Sequence, residues 1–229
     1  ITERSQLIEQ FRIQRPHCAL RVNTMRQVAV LQALRRGALD VAIIIGVGMA
    51  RELYDAQLAD GQANEGGYPL DLPIAAIQSR PFCLRAPPEW VLSKRRAVHS
   101  SELKGKELIM IDIEHSAEVL GAMAAFFREA GAHIVFAPGG GHVDAMRCGA
   151  KRRTPIVSLG WFDALEKETA PDFVPVAITD CPRKVDLVVL RAAGEVRPPA
   201  AHFIEQAVTL LGPPPEAEGR AAAEHPLGR

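Results

Sequence analysis

The chain has 229 residues, 48% hydrophobic and 24% charged, and its 27 Lys plus Arg balance 27 Asp plus Glu for a formal net charge of zero. That composition excludes a disordered chain or a coiled coil and leaves one large domain or two small lobes. It also excludes the basic field that non-specific DNA binding needs, so any contact with nucleic acid has to come from elsewhere.

Leu7, Ile8, Phe11 and Ile13 fall at mostly helical spacing between Ser5 and Gln14, and Pro16 stops the pattern. Cys18, Leu20 and Val22 alternate with Ala19, Arg21 and Asn23, a period of two that predicts a strand with one face buried. Val28, Leu31 and Leu34 mark one face of a helix from about Met25 to Arg36, with Gly37 suited to a left-handed cap. The unbroken run from Asp40 to Gly46 predicts a strand covered on both faces, as in a parallel sheet with helical crossovers. Helix, strand, helix, strand with short connectors is the rhythm of a doubly wound α/β lobe.

From Gly46 to Pro73 the pattern loosens into an exposed excursion, with a short helix over Met49 to Leu58 and turn chemistry from Asp60 to Gly67. Leu72 to Ile77 and Phe82 to Leu84 are strand-like, and Pro87-Pro88 offers a place to leave the first lobe. A second α/β lobe follows: strand Glu107 to Asp112, a helix capped by Ser116 and ended by Gly131, strand His133 to Ala137, a turn at Pro138 to Gly141, and a short helix Val143 to Cys148. Strand Pro155 to Leu159 and a helix over Trp161 to Glu168 come next. Phe173 to Ile178 and Val185 to Leu190 are the last strands and Ala200 to Leu211 the last amphipathic helix, before a Pro- and Ala-rich tail that lacks the apolar groups to order it.

Gly46-Val-Gly48 follows a buried strand, but Arg51 holds the third glycine position of a dinucleotide loop, so a plain turn is the better reading. Gly139-Gly-Gly141-His142 places backbone amides at a strand-to-helix turn, the best local candidate for an anion such as a carboxylate, with loop flexibility as the competing account. His142 and Asp144 read as a solvated pair, and no serine elbow or second carboxylate completes a catalytic set. Lys94 to Arg96 and Lys151 to Arg153 read as solvated surface. Cys18, Cys83, Cys148 and Cys181 are scattered, with no CxxC pair, so neither a metal nor a cofactor is expected. The longest apolar stretch, Val41 to Met49, is far shorter than the roughly 20 residues of a membrane span, and no secretory leader opens the chain. The expectation is a cytoplasmic protein with no membrane association, and a start at Ile1 suggests that something upstream was removed or omitted.

Leu7-Ile-Glu-Gln-Phe11 through Pro16, Ala19-Leu-Arg-Val22, and Val30-Leu-Gln-Ala-Leu34-Arg-Arg-Gly37-Ala-Leu39-Asp40-Val-Ala-Ile43 resemble the opening of LysR-type effector-binding domains almost position by position. Ser101-Glu-Leu103-Lys-Gly-Lys-Glu-Leu108-Ile resembles the family's lead into a second lobe, and Phe126-Phe-Arg-Glu-Ala-Gly131 its helix end. The resemblance runs from about Leu7 to Gly212. It departs from the family in lacking the first strand and effector loop ahead of the opening helix, in a longer stretch from Gly48 to Leu70, and in an altered segment from Cys148 to Gly160.

What the resemblance implies is an α/β fold of two Rossmann-like lobes joined by two crossing strands, like the type 2 periplasmic binding proteins. Lobe one would comprise residues 1–86 and 184–212, lobe two residues 87–183, and 213–229 a disordered tail, with crossings near Ser79 to Pro87 and Arg183 to Arg191. A small, anionic effector would sit in the cleft against Thr24 and Met25, Gly46 and Val47, Gly139, Gly140, Gly141 and His142, and Ser158 and Leu159. It would act through a homodimer or homotetramer, the helix from Ser5 to Gln14 lying against the helix from Ser116 to Glu129 of a second chain, and reach DNA only through a separate winged helix-turn-helix domain absent from this sequence. A solute-binding protein of a transporter shares the architecture and is the competing reading, with an enzyme third.

Overall fold

The helical and strand periods become six α-helices and nine β-strands among the residues that the computed structural model describes, which are 2–25, 27–49, 72–111, 117–139 and 141–212. Helix α1 (Thr2–Gln14) buries Leu7 and Phe11, one turn apart, and stops before Pro16. It packs on α6 (Pro198–Leu211), whose Phe203, Ala207 and Leu211 form the same kind of stripe. Their contact centres on Phe11 and Phe203, edge to face with ring centroids 5.4 Å apart. Helix α2 (Gln27–Arg35) ends where Gly37 takes φ +67°, the left-handed conformation that the sequence asks of it.

The first sheet has the order β1 (Val41–Met49), β9 (Arg183–Arg191), β2 (Ile74–Pro81). Both of its pairings are antiparallel, with Val41 opposite Arg191 and Ile77 opposite Val188. The parallel pairing expected for β1 is therefore corrected: its neighbour is β9, the last strand among the described residues, and its two faces are unequal, with Ala42, Ile44 and Gly46 buried and Val41, Ile43 and Ile45 half-buried. Phe82 carries the chain across. Cys83 already pairs in the second sheet, so the change of sheet precedes Pro87.

The second sheet is mixed, in the order β4 (Ala97–Val98), β8 (Val174–Ile178), β3 (Cys83–Ala86), β7 (Ile156–Ser158), β5 (Glu107–Ile111), β6 (His133–Ala137). Strand β5 runs parallel to both neighbours and is buried from Leu108 to Ile111, as a strand clad on two sides must be. Met123, Ala124 and Phe127 of α3 (Ala117–Glu129) and Ala145 and Met146 of α4 (His142–Arg152) join it in one core. Two elements escape a reading by period: the two-residue β4, and a single 3-10 turn, Ser100–Leu103, held by a capping box between His99 and Glu102. The excursion helix, Ser116 and the tail lie outside the described residues.

The strand expected over Cys18 to Val22 does not form. From Ala19 to Met25 the chain makes no backbone hydrogen bond among the described residues, and it is separated from β1 by a cavity of about 620 Å³ that both segments line, together with Phe11 and Phe203. The alternation is real, with Cys18 and Leu20 half-buried, but alternation supplies a face and not a partner. Amides from Ala19 to Thr24 are thus expected to exchange at nearly unprotected rates while those of β9 stay slow. Strong protection in that stretch, measured by hydrogen exchange, would show that a partner strand is present.

Candidate functional site

A charged residue in an apolar strand has to find a buried counter-charge or an opening to water. Arg85, in the buried β3, finds two carboxylates on α5 (Asp163–Thr169): its Nε donates to Glu166 Oε2 at 2.5 Å and its Nη2 to Asp163 Oδ1 at 3.0 Å. Glu166 is itself only 1% exposed. Its second oxygen, Oε1, takes Ser158 Oγ of β7 at 2.5 Å and lies 2.9 Å from Nε2 of His142, the first residue of α4. The His142 ring stacks on Phe162 at 4.4 Å. Burial alone would raise the Glu166 carboxyl, but the bonds from His142, Ser158 and Arg85, with the Arg85 charge, outweigh it and hold the group at about 2. Burial likewise pushes the neighbouring Cys83 thiol up, only partly offset by its bond with Ser158.

Chemically this is a hub, not a catalytic set. Ser158 gives its proton to a carboxylate too weakly basic to take it at neutral pH and accepts the Gly160 amide at 3.0 Å, and His142 points its Nε2 at the carboxylate and not at the serine. Among the described residues no group of three or more His, Cys, Asp or Glu is placed to hold a metal, and the four cysteines are free.

The residues expected to line a cleft are distributed as follows. His142 and Ser158 are brought together on Glu166 Oε1, with Leu159 buried beside them. Gly139, at φ +96°, and Gly141, the N-cap of α4, flank the turn that leads to His142, while Gly140 lies outside the described residues. Asp144 curls back over that turn, its Oδ2 2.8 Å from where a Cβ on Gly139 would stand. His142 and Asp144 are therefore not a solvated pair: two positions apart on a helix, they face different sides, and His142 is 8% exposed. Gly46 and Val47 lie inside β1, opposite Asp186 and Val185, and do not follow its end. Thr24 and the 43% exposed Met25 line the cavity beside β1. The residues missed by sequence reading are Glu166 and Arg85. Only Arg85 carried a signal, a lone cation in the run Phe82 to Ala86.

A family model described as LysR substrate binding domain matches residues 5–211. The chain belongs to that family. It is the effector-binding regulatory domain of a LysR-type transcription regulator, a non-enzymatic family, which decides against a transporter's solute-binding protein and bears out the resemblance read from Leu7 onward. Solved structures agree on the fold. This LysR domain superposes on a putative LysR family transcriptional regulator from Pseudomonas aeruginosa with TM-score 0.66 and 16% identity, covering 91% of this chain and 66% of that one. The C-terminal domain of a probable LysR family regulator from Rhodococcus sp. RHA1 gives 0.62 and 17%, covering 89% and 90%. The BenM effector binding domain with its effector benzoate gives 0.63 and 11%, covering 90% and 85%. The LysR domain described here thus has the α/β fold with mixed sheets that is like the type 2 periplasmic binding proteins. It spans about two thirds of the Pseudomonas aeruginosa regulator's length. No curated protein sequence matches it significantly, and no helix among the described residues is long and apolar enough to cross a membrane.

Proposed function

We propose that this domain senses a small anionic effector held between a first lobe of residues 1–86 and 184–212 and a second of 87–183, and relays its presence through a homodimer or homotetramer to a separate winged helix-turn-helix domain. The observation that carries the reading is the family match over residues 5–211. The cleft residues would be Thr24, Met25, Gly46, Val47, Gly139 to His142, Ser158 and Leu159. In support, the N-cap of α4 is a glycine that makes no side-chain cap bond, which leaves the helix's first amides to an incoming acceptor, with the helix dipole favouring a negative one. Among the structural relatives, the BenM domain is solved with benzoate, the regulatory domain of Synechocystis PCC6803 CcmR with 2-PG, and full-length CbnR with its target DNA.

Asp144 is the obstacle to an anion, because its carboxylate already lies over the glycine turn. The test is thermal shift with benzoate and other small carboxylates on the wild type and on Asp144→Asn. A ligand at about 100 times its dissociation constant adds roughly 2.7 kcal/mol to the native state and raises the melting temperature by several degrees. Asp144→Asn is expected to bind the same carboxylate several-fold more tightly, since a like charge is removed. No shift in either protein across the panel would overturn an anionic effector, and a shift that Asp144→Asn leaves unchanged would move the anion away from the turn.

A further inference from the structure

One side chain near the crossing between the sheets touches both sides of the molecule. Arg80, the penultimate residue of β2, sends Nη2 to Glu3 Oε1 in the first turn of α1 at 2.5 Å and Nη1 to the Gly160 carbonyl oxygen at 2.6 Å, with Asp163 Oδ2 at 3.6 Å. Its guanidinium lies 3.9 Å over the Trp161 ring, and Trp161 Nε1 donates to the Val185 carbonyl of β9 at 3.1 Å. Gly160 in turn gives its amide to Ser158 Oγ. A chain of direct contacts therefore runs Ser158, Gly160, Arg80, Glu3.

We propose that Arg80 is the positioning residue through which a change at the Ser158 end of β7 reaches the first turn of α1. The inference rests on the effector reading only in giving that end of β7 a ligand to respond to. Its physical basis is the guanidinium fork. Glu3 belongs to a helix packed on α6, which itself packs on β2 of the first sheet, whereas Gly160 follows a strand of the second. The two sheets are joined by chain crossings at Phe82 and between Ile178 and Arg183. A planar, rigid donor can satisfy acceptors on both bodies at one relative placement and must release one when they turn. The Arg80 side chain is 31% exposed, so the ion pair adds little to folding stability, and its geometry is what has consequences.

Coupling between two points is shown by a double-mutant cycle and not by adjacency. On the whole chain without ligand, hydrogen exchange is read at the amides of Gln6 to Gln10, whose helical bonds close the first turns of α1. Ser158→Ala, which frees the Gly160 amide, is expected to change their protection by about threefold or more in the wild-type background and by nothing measurable with Arg80→Met. Gly160→Ala is a second perturbation that leaves Ser158 intact: Gly160 sits at φ +69°, and the new Cβ would lie 3.7 Å from Arg80 Cβ. Arg80→Lys keeps the charge without the fork and is expected to behave as Arg80→Met does in the cycle. Equal effects in both backgrounds, or no change at α1 from either perturbation, would overturn the proposal. A residue that only stabilises the fold would give additive effects. Because no effector is used, this outcome is independent of the melting-shift test of the effector itself.

Discussion

Glu166→Ala is expected to lower the unfolding free energy by about 3–5 kcal/mol, read as a fall in the urea midpoint at unchanged slope, because it strands the buried Arg85 with only the half-exposed Asp163 to pair with. Glu166→Gln keeps the shape and isolates the charge. The folded carboxyl sits at about 2 against an ordinary 4.5, so it binds its proton less readily in the native state than in the unfolded one. Its contribution is fully present above about pH 4.5 and is lost as pH falls through the folded value, an amount of about 3 kcal/mol. In Glu166→Gln the steep decline in stability between pH 5 and pH 2 should flatten. A residue of slope will remain from Glu89, also held at about 2 by Arg153, and from the lowered Asp180, but an undiminished slope would mean that Glu166 does not carry the acid sensitivity.

The second large effect lies on α4, the helix that His142 begins. Alanine ordinarily favours a helix over glycine by about 1 kcal/mol, so Gly149→Ala would be stabilising if α4 stood clear of the sheet. It does not: a Cβ at Gly149 would stand 2.2 Å from Ile156 Cγ1, 2.4 Å from its Cδ1 and 3.0 Å from the Thr154 carbonyl oxygen, and Ile156 is fully buried. Overpacking of this kind outweighs the helix gain, and a net loss of about 2 kcal/mol is expected by chemical denaturation. Ile156→Ala removes both close atoms, so the double substitution should be less damaging than the sum of the singles by about 1 kcal/mol. A stabilised Gly149→Ala would show that helix and strand are farther apart than described.

Most helices and strands were legible because each has a period and a terminator close at hand: Leu7 and Phe11 before Pro16, the β-branched run of β1, the stripe of α6 before Gly212. Partnership was less legible. Nothing local in β1 tells it that its neighbour is β9, some 140 residues on, and nothing in Cys18 to Val22 tells it that no strand among the described residues pairs with it. The site divides in the same way. His142 could be singled out at a glycine turn and Ser158 through the family resemblance, but what joins them is Glu166, one of three acidic residues in Asp163 to Glu168 with no spacing to distinguish it from its neighbours. Buried polar networks are assembled by tertiary structure, and only Arg85, unaccompanied in an apolar strand, announced that one was needed.

The order of strands also sets a timetable for the emerging chain. Every strand of the second sheet has been made once Ile178 is complete, whereas the first sheet takes its middle strand, β9, from residues made after all of them. On the ribosome, β1 and β2 must wait unjoined until β9 emerges, while the strands of the second sheet, which lie between β2 and β9 in sequence, can pair beforehand. Termination shortly before residue 183 should therefore release a product with one half structured and the other exposed to proteases, and a chaperone that shields β1 and β2 would act longest on this domain's amino-terminal third.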